Sequence, residues 1–127
     1  MTLIQQHIYS MKKLFRKIAE YVVAAYAKRM YRKAVDIAEK RHQEEKKMIY
    51  VLSSPFDDSQ LVTCSKKEFR AMKEKLKIRR QHGVEHLKKG CWYHTADAFE
   101  RNGMAPIDLK ARRIAFIRMM LKRAGYR

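Results

Sequence analysis

Between Thr2 and Lys47 the chain contains neither glycine nor proline, and nearly every residue is a good or tolerable helix former. Read as one helix, this stretch is about 69 Å long at ~1.5 Å per residue. That exceeds the width of a 127-residue globule. Part of the helix must therefore leave the domain or lie against a partner.

The apolar residues within it follow two registers. Ile4, Ile8, Met11, Phe15, Ile18, Val22 and Ala25 alternate four and three apart, a seven-residue repeat on one side. The stripe then continues through Tyr26, Met30, Ala34 and Ile37, offset by a four-residue step from Val22. Such a step is a stutter, which unwinds a coiled coil locally or rotates the buried face. The two halves are therefore expected to bury different faces, with room for a bend near Ala24–Ala27. One reading makes the stretch a partner-binding or oligomerising helix; the other makes it two ordinary helices packed on their own domain.

Charge is the second constraint. Thirty Lys and Arg stand against thirteen Asp and Glu, a net +17. Residues 1–47 carry +7, residues 48–65 carry −2, residues 66–90 carry +7 and residues 91–127 carry +5. Basic helices thus bracket an apolar, slightly acidic middle. A solvated surface of mixed signs has a modest net charge, so this excess points to an acidic partner: DNA, RNA, an anionic membrane surface or an acidic protein.

With 46% hydrophobic residues a real core can form, and the length suits one domain plus an extension. The expected division is a long amphipathic basic helix over 1–47 and a small α+β domain over 48–127. Cys64 and Cys91 make no disulfide framework, which favours a reducing compartment: the cytoplasm, a virion or another intracellular assembly. A signal peptide starting at Met11 is rejected because Arg16, Lys17 and Glu20 interrupt its apolar region. No stretch approaches the ~18 apolar residues that span a bilayer.

After Lys47 the run Met48–Leu52 is β-branched and aromatic, a strand over 48–52. Ser53–Ser59, with Pro55, Asp57 and Asp58, reads as a turn, and residues 61–64 return as the second strand of a hairpin. Ser65 and Glu68 form a capping box opening a helix over 66–81, with Phe69, Met72 and Leu76 inward and Gly83 stopping it. Residues 91–94 suit a third short strand. Thr95 is placed to cap a short helix over 96–101. Pro106 precedes a final helix over 107–124, whose buried side takes Leu109, Ile114, Phe116, Ile117, Met120 and Leu121; Arg112, Arg118, Lys122 and Arg123 line the remainder. The fold class is α+β, predominantly helical.

Little in the chain suggests catalysis. His82, His86, Cys91 and His94 offer four zinc-type donors in thirteen residues. Gly83 separates the two histidines, however, and the gap to Cys91 is shorter than the finger that divides ligand pairs. Loop and core roles for these residues are the simpler reading. Asp57 and Asp58 read as turn formers rather than an acid/base pair. No glycine-rich phosphate loop is present. The expectation is a non-enzymatic protein without cofactor or metal.

The basic clusters are the remaining signal. Lys12, Lys13, Arg16 and Lys17 form one, and Lys28, Arg29, Arg32 and Lys33 repeat the spacing sixteen residues later on another side of the helix. Lys66, Lys67, Arg70, Lys73, Lys77 and Arg80 line the second helix. Tyr9, Tyr21, Tyr26 and Tyr31 lie along the first; half-buried packing is the expected role, with base stacking as the alternative. Without a helix-turn-helix, RRM or KH signature, the expected function is nucleic-acid binding through backbone phosphates, with no base-specific readout. The rival is an assembly component of a large complex, such as a phage virion, a secretion machine or a nucleoprotein, docking or self-associating through residues 2–47. A third reading lays the long helix on an anionic membrane surface.

Overall fold

The computed structural model describes residues 2–75, 87–96 and 103–126. The Gly/Pro-free stretch forms a single uninterrupted helix, α1 (Leu3–Glu45), of 43 residues. Thr2 caps it: the Thr2 hydroxyl accepts from the Gln5 amide, and the Gln5 side chain accepts from the Thr2 amide. At the other end Lys46 turns left-handed at φ 54°, its amide donating to the His42 carbonyl. Backbone donors and acceptors that a helix end leaves open are thus engaged at both termini.

Two antiparallel strands follow, β1 (Tyr50–Ser53) and β2 (Leu61–Cys64), with Tyr50 opposite Cys64 and Ser53 opposite Leu61. In the connecting turn, the Asp57 carboxylate accepts from the Ser59 amide at 3.0 Å and the Ser59 hydroxyl at 2.7 Å, which holds its pKa below the usual carboxylate range. Asp57 is turn chemistry, as its sequence context indicated. Next come α2 (Lys66–Lys75), the single turn α3 (Leu87–Gly90), β3 (Tyr93–His94) and α4 (Pro106–Arg123).

The Ser65–Glu68 capping box is present at the start of α2: the Glu68 amide donates to the Ser65 hydroxyl, and the Ser65 amide donates to the Glu68 carboxylate. The remainder of the helix expected over 66–81 lies outside the described residues, as does the helix expected over 96–101 beyond Ala96. The third strand is shorter than residues 91–94, because Cys91 closes the α3 turn by donating its amide to the Leu87 carbonyl. Thr95 has another partner than a helix end. Fully buried, its hydroxyl accepts from the Ile49 amide at 2.8 Å while its own amide donates to the Ile49 carbonyl at 2.9 Å. These bonds extend the β1–β3 pairing by one residue on each side.

The sheet order is β2-β1-β3, so β1 is central and apolar on both faces. Alternation sorts its residues. Ile49 and Val51 join Ala27, Tyr31, Ala34, Ala38, Tyr93 and Phe116 in a core between the sheet, α1 and α4. Tyr50 turns the other way and packs with Cys64, Phe69, Leu87 and Cys91 beneath α2 and α3. Three layers result, with helices on both faces of a small antiparallel sheet.

Two registers differ from expectation. In the second half of α1 the buried positions are Ala27, Tyr31, Ala34 and Ala38, whereas Tyr26 and Ile37 are exposed. Small alanines let α1 approach the sheet and α4 closely, and the one large residue among them, Tyr31, fills the gap. Tyr31 donates its hydroxyl to the Trp92 carbonyl and lies 5.8 Å from the Phe116 ring; Trp92 meets Phe116 edge-on at 5.4 Å. On α4, Ile114 faces outward, and Arg112 reaches inward to donate to the Cys91 carbonyl at 2.9 Å. A buried carbonyl at the α3–β3 corner needs a donor, and the long guanidinium stem supplies one across the layer.

Candidate nucleic-acid interface

Every residue from Thr2 to Ile18 is exposed. This half of α1 stands clear of the domain and displays the first basic cluster without competition from neighbouring elements. Lys12, Lys13, Arg16 and Lys17 surround a shallow cleft with Tyr9 and Glu20. Arg16 pairs loosely with Glu20 at 3.5 Å, one helical turn on. That contact is exposed and weak, so it subtracts little from the local field.

The second cluster occupies the part of α1 that packs on the domain. At about 100° per residue, its centre lies roughly opposite the buried Ala27–Tyr31–Ala34–Ala38 stripe. Lys28, Arg29, Arg32 and Lys33 are all exposed for that reason. Arg29 and Lys33 border an open groove of about 470 Å³ between α1 and the edge strand β2. Its floor is apolar, with Tyr26, Met30, Ile37 and Leu61.

On α2, Lys66, Lys67 and Arg70 are exposed and Lys73 is half-buried. Lys77 and Arg80 lie outside the described residues. The helix covers the opposite face of the sheet from α1, so its cations form a third patch rather than an extension of the other two. Among the described residues, none of the cluster cations other than Arg16 pairs with a carboxylate.

Arg41 contrasts with these free cations. Its guanidinium bonds Glu45 at 2.7 Å, the Thr63 carbonyl at 3.0 Å and Glu68, joining α1, β2 and the start of α2. Those hydrogen bonds hold the Glu45 and Glu68 carboxyls below their ordinary pKa. Arg123 is also engaged, at 3.5 Å from both Asp57 and Asp58 of the hairpin turn. Neither arginine is available to a polyanion without breaking a structural link.

The candidate chemical groups are placed otherwise. Burial pushes the Cys64 thiol up to about 11, and burial also raises Cys91, whose sulfur accepts from Arg112 at 3.2 Å. Both thiols are protonated near neutral pH and are poor nucleophiles or ligands in that state. The His94 Nδ1 lies 3.0 Å from the Thr95 carbonyl oxygen. His82 and His86 lie outside the described residues. Among the described residues, no group of three His, Cys, Asp or Glu could hold a metal, and no helix is long and apolar enough to cross a membrane.

The sequence understated the tyrosines. Only Tyr31 of the four is packed; Tyr9, Tyr21 and Tyr26 are 62%, 75% and 56% exposed. The α1–β2 groove was not foreseeable from spacing, since it needs the hairpin to pass beside Ile37. Comparison with protein-family models, curated proteins and solved structures finds no match to this chain.

Proposed function

We propose that this protein binds nucleic acid through the phosphate backbone and performs no catalysis, acting in the cytoplasm or inside a virion or other intracellular assembly. The observation that carries the reading is the set of exposed cations on α1 and α2 that lack carboxylate partners. A lysine already neutralised by an ion pair gains little from a phosphate; these have no such competitor. Each one brought to a phosphate releases condensed counterions, which supplies affinity that is independent of sequence and sensitive to salt.

Tyr26, in the apolar groove that Arg29 borders, adds an exposed aromatic face beside cationic groups. This is the arrangement that holds an unpaired base while cations track its backbone. Single-stranded segments would therefore use the groove, and duplex backbone the outer clusters.

The test is binding of nuclease-treated full-length protein to short duplex DNA, duplex RNA and single strands across a salt series. A slope near ~0.9 log unit per log salt for each phosphate contacted on duplex DNA is expected. Replacing Lys28, Arg29, Arg32 and Lys33 by Gln lowers the slope by about the number of contacts they make. Affinity that stays flat as salt rises sinks the reading. The rival reading, an assembly component docking through α1, is favoured by a different observation: the apolar stripe on the free half of α1.

A further inference from the structure

Leu3, Ile4, Leu14, Phe15, Tyr21 and Val22 are each between 57% and 85% exposed, and Ile8, Met11 and Ile18 between 44% and 50%. Together these side chains present on the order of 1,000 Å² of apolar surface, more than the ~300–600 Å² of the largest patch on an ordinary monomer. It also matches the ~800 Å² that each partner contributes to a standard interface. Apart from Leu3, at c, the contributing residues fall at heptad positions a, d and g, on the side of α1 facing away from the domain.

The flanks of this stripe identify what covers it. In heptad terms Ile8, Phe15 and Val22 are a, and Ile4, Met11 and Ile18 are d. The g positions are His7, Leu14 and Tyr21; the e positions are Gln5, Lys12 and Ala19. Lys12 is the one lysine or arginine beside the stripe, whereas Lys13, Arg16 and Lys17 sit at f, b and c. A chain of net +17 can thus approach a copy of itself along this face with one like-charge contact in an antiparallel pair, Lys12 against Lys12 on the e flank.

We propose that two copies of this chain pair antiparallel through residues 4–22 of α1. Orientation follows from what lies beyond Ala25. Continuing the heptad puts Lys28 at g, Arg29 at a, Arg32 at d and Lys33 at e, all exposed. A parallel pair would bring both copies of that cluster together at one end. The antiparallel pair places each cluster past the start of the other helix. It also sets Ile4 opposite Val22 of the second copy, Ile8 opposite Ile18 and Met11 opposite Phe15, completing three heptad layers and their mirror images. Leu14 meets Leu14 of the second copy along the g flank. The globular domains, which pack on the far side of α1 from residue 27 onward, stand outside both ends of the paired segment.

The pairing is independent of nucleic-acid binding and is tested without it. Sedimentation equilibrium of the nuclease-treated full chain is expected to give about twice the 15.2 kDa chain mass. The double variant Ile8→Asp, Ile18→Asp is expected to give the single-chain mass while keeping a cooperative thermal transition. A wild-type monomer at 100 µM (taken as about 100 times a typical micromolar Kd), or a trimer or tetramer, overturns the proposal. Orientation is read by oxidising a mixture of Ile4→Cys and Val22→Cys chains. The mixed disulfide dimer is expected, and a Val22→Cys homodimer as the main product overturns the antiparallel assignment.

Discussion

The two halves of α1 share one helix but solve opposite packing problems. From Ala27 onward the inward positions are mostly alanine, contacts are close, and a single tyrosine fills the space between helix, sheet and α4. Before Val22 the apolar residues are large, regularly spaced and exposed. The buried stripe of one half and the exposed stripe of the other lie about 150° apart around the axis. The difference teaches that residue size along a helix reports the distance to its neighbour: small where another element of the same chain must come close, large where a seam has yet to be filled.

Substitutions at matched residues separate the halves. The largest effect is expected at Phe116, fully buried against Tyr31 and Trp92: Phe116→Ala should cost about 3–5 kcal/mol in denaturant unfolding. Phe15→Ala, on the free half, should change unfolding of the isolated chain by less than about 0.5 kcal/mol. Any larger loss at Phe15 should vanish on dilution, since it would report pairing rather than packing on the domain.

Overfilling gives the next contrast. Ala38→Leu forces a branched side chain against the sheet and should cost about 1–3 kcal/mol by the same measurement. Ala25→Leu adds an apolar group where there is space, and should leave unfolding of the chain unchanged.

Arg41 sharpens the comparison from the polar side, because it ties the packed half to β2 and α2. Arg41→Ala should cost about 1–2 kcal/mol, reduced from a buried charge-assisted network by its partial exposure. Its partners Glu45 and Glu68 have folded pKa values below their unfolded ones. Their contribution is therefore fully present above the unfolded carboxylate value of ~4.3 and is lost as pH falls through the lower folded values. Wild-type stability measured below about pH 4 should drop, and Arg41→Ala should show a shallower drop over the same window.

The smallest effect is at the helix start. Thr2→Ala removes the capping box and should cost about 0.5–1 kcal/mol locally. Amide exchange should quicken in the first turns of α1 and remain unchanged at Ala34 and Ala38, because the free half frays without reaching the core.

Much of this architecture was readable in residue order. The uninterrupted helix follows from the absence of glycine and proline, the hairpin from Met48–Leu52 and Leu61–Cys64 around an Asp-rich turn, and the start of α2 from Ser65 and Glu68. The stop of α4 was also legible in hindsight. Gly125 takes φ 90°, and Tyr126 and Gly125 donate back to the Leu121 and Lys122 carbonyls in a Schellman closure. The candidate interface was legible as charge and spacing, and its described cations stand exposed except Lys73, which is half-buried. Its groove and its exposed tyrosines were not.

What the sequence determined by itself is local: where backbone hydrogen bonding can run on, where caps end it, and which side of the free helix is apolar. Those depend on residues three or four positions apart. The tertiary structure alone decided which face of the second half is buried, that Arg41 is a structural link while Arg29 is free, and that Arg112 turns inward to the Cys91 carbonyl. Hydrophobicity ranks Tyr26, Met30 and Ile37 above alanine, but burial is set by how near another element can come. That distance depends on side chains far away in the chain.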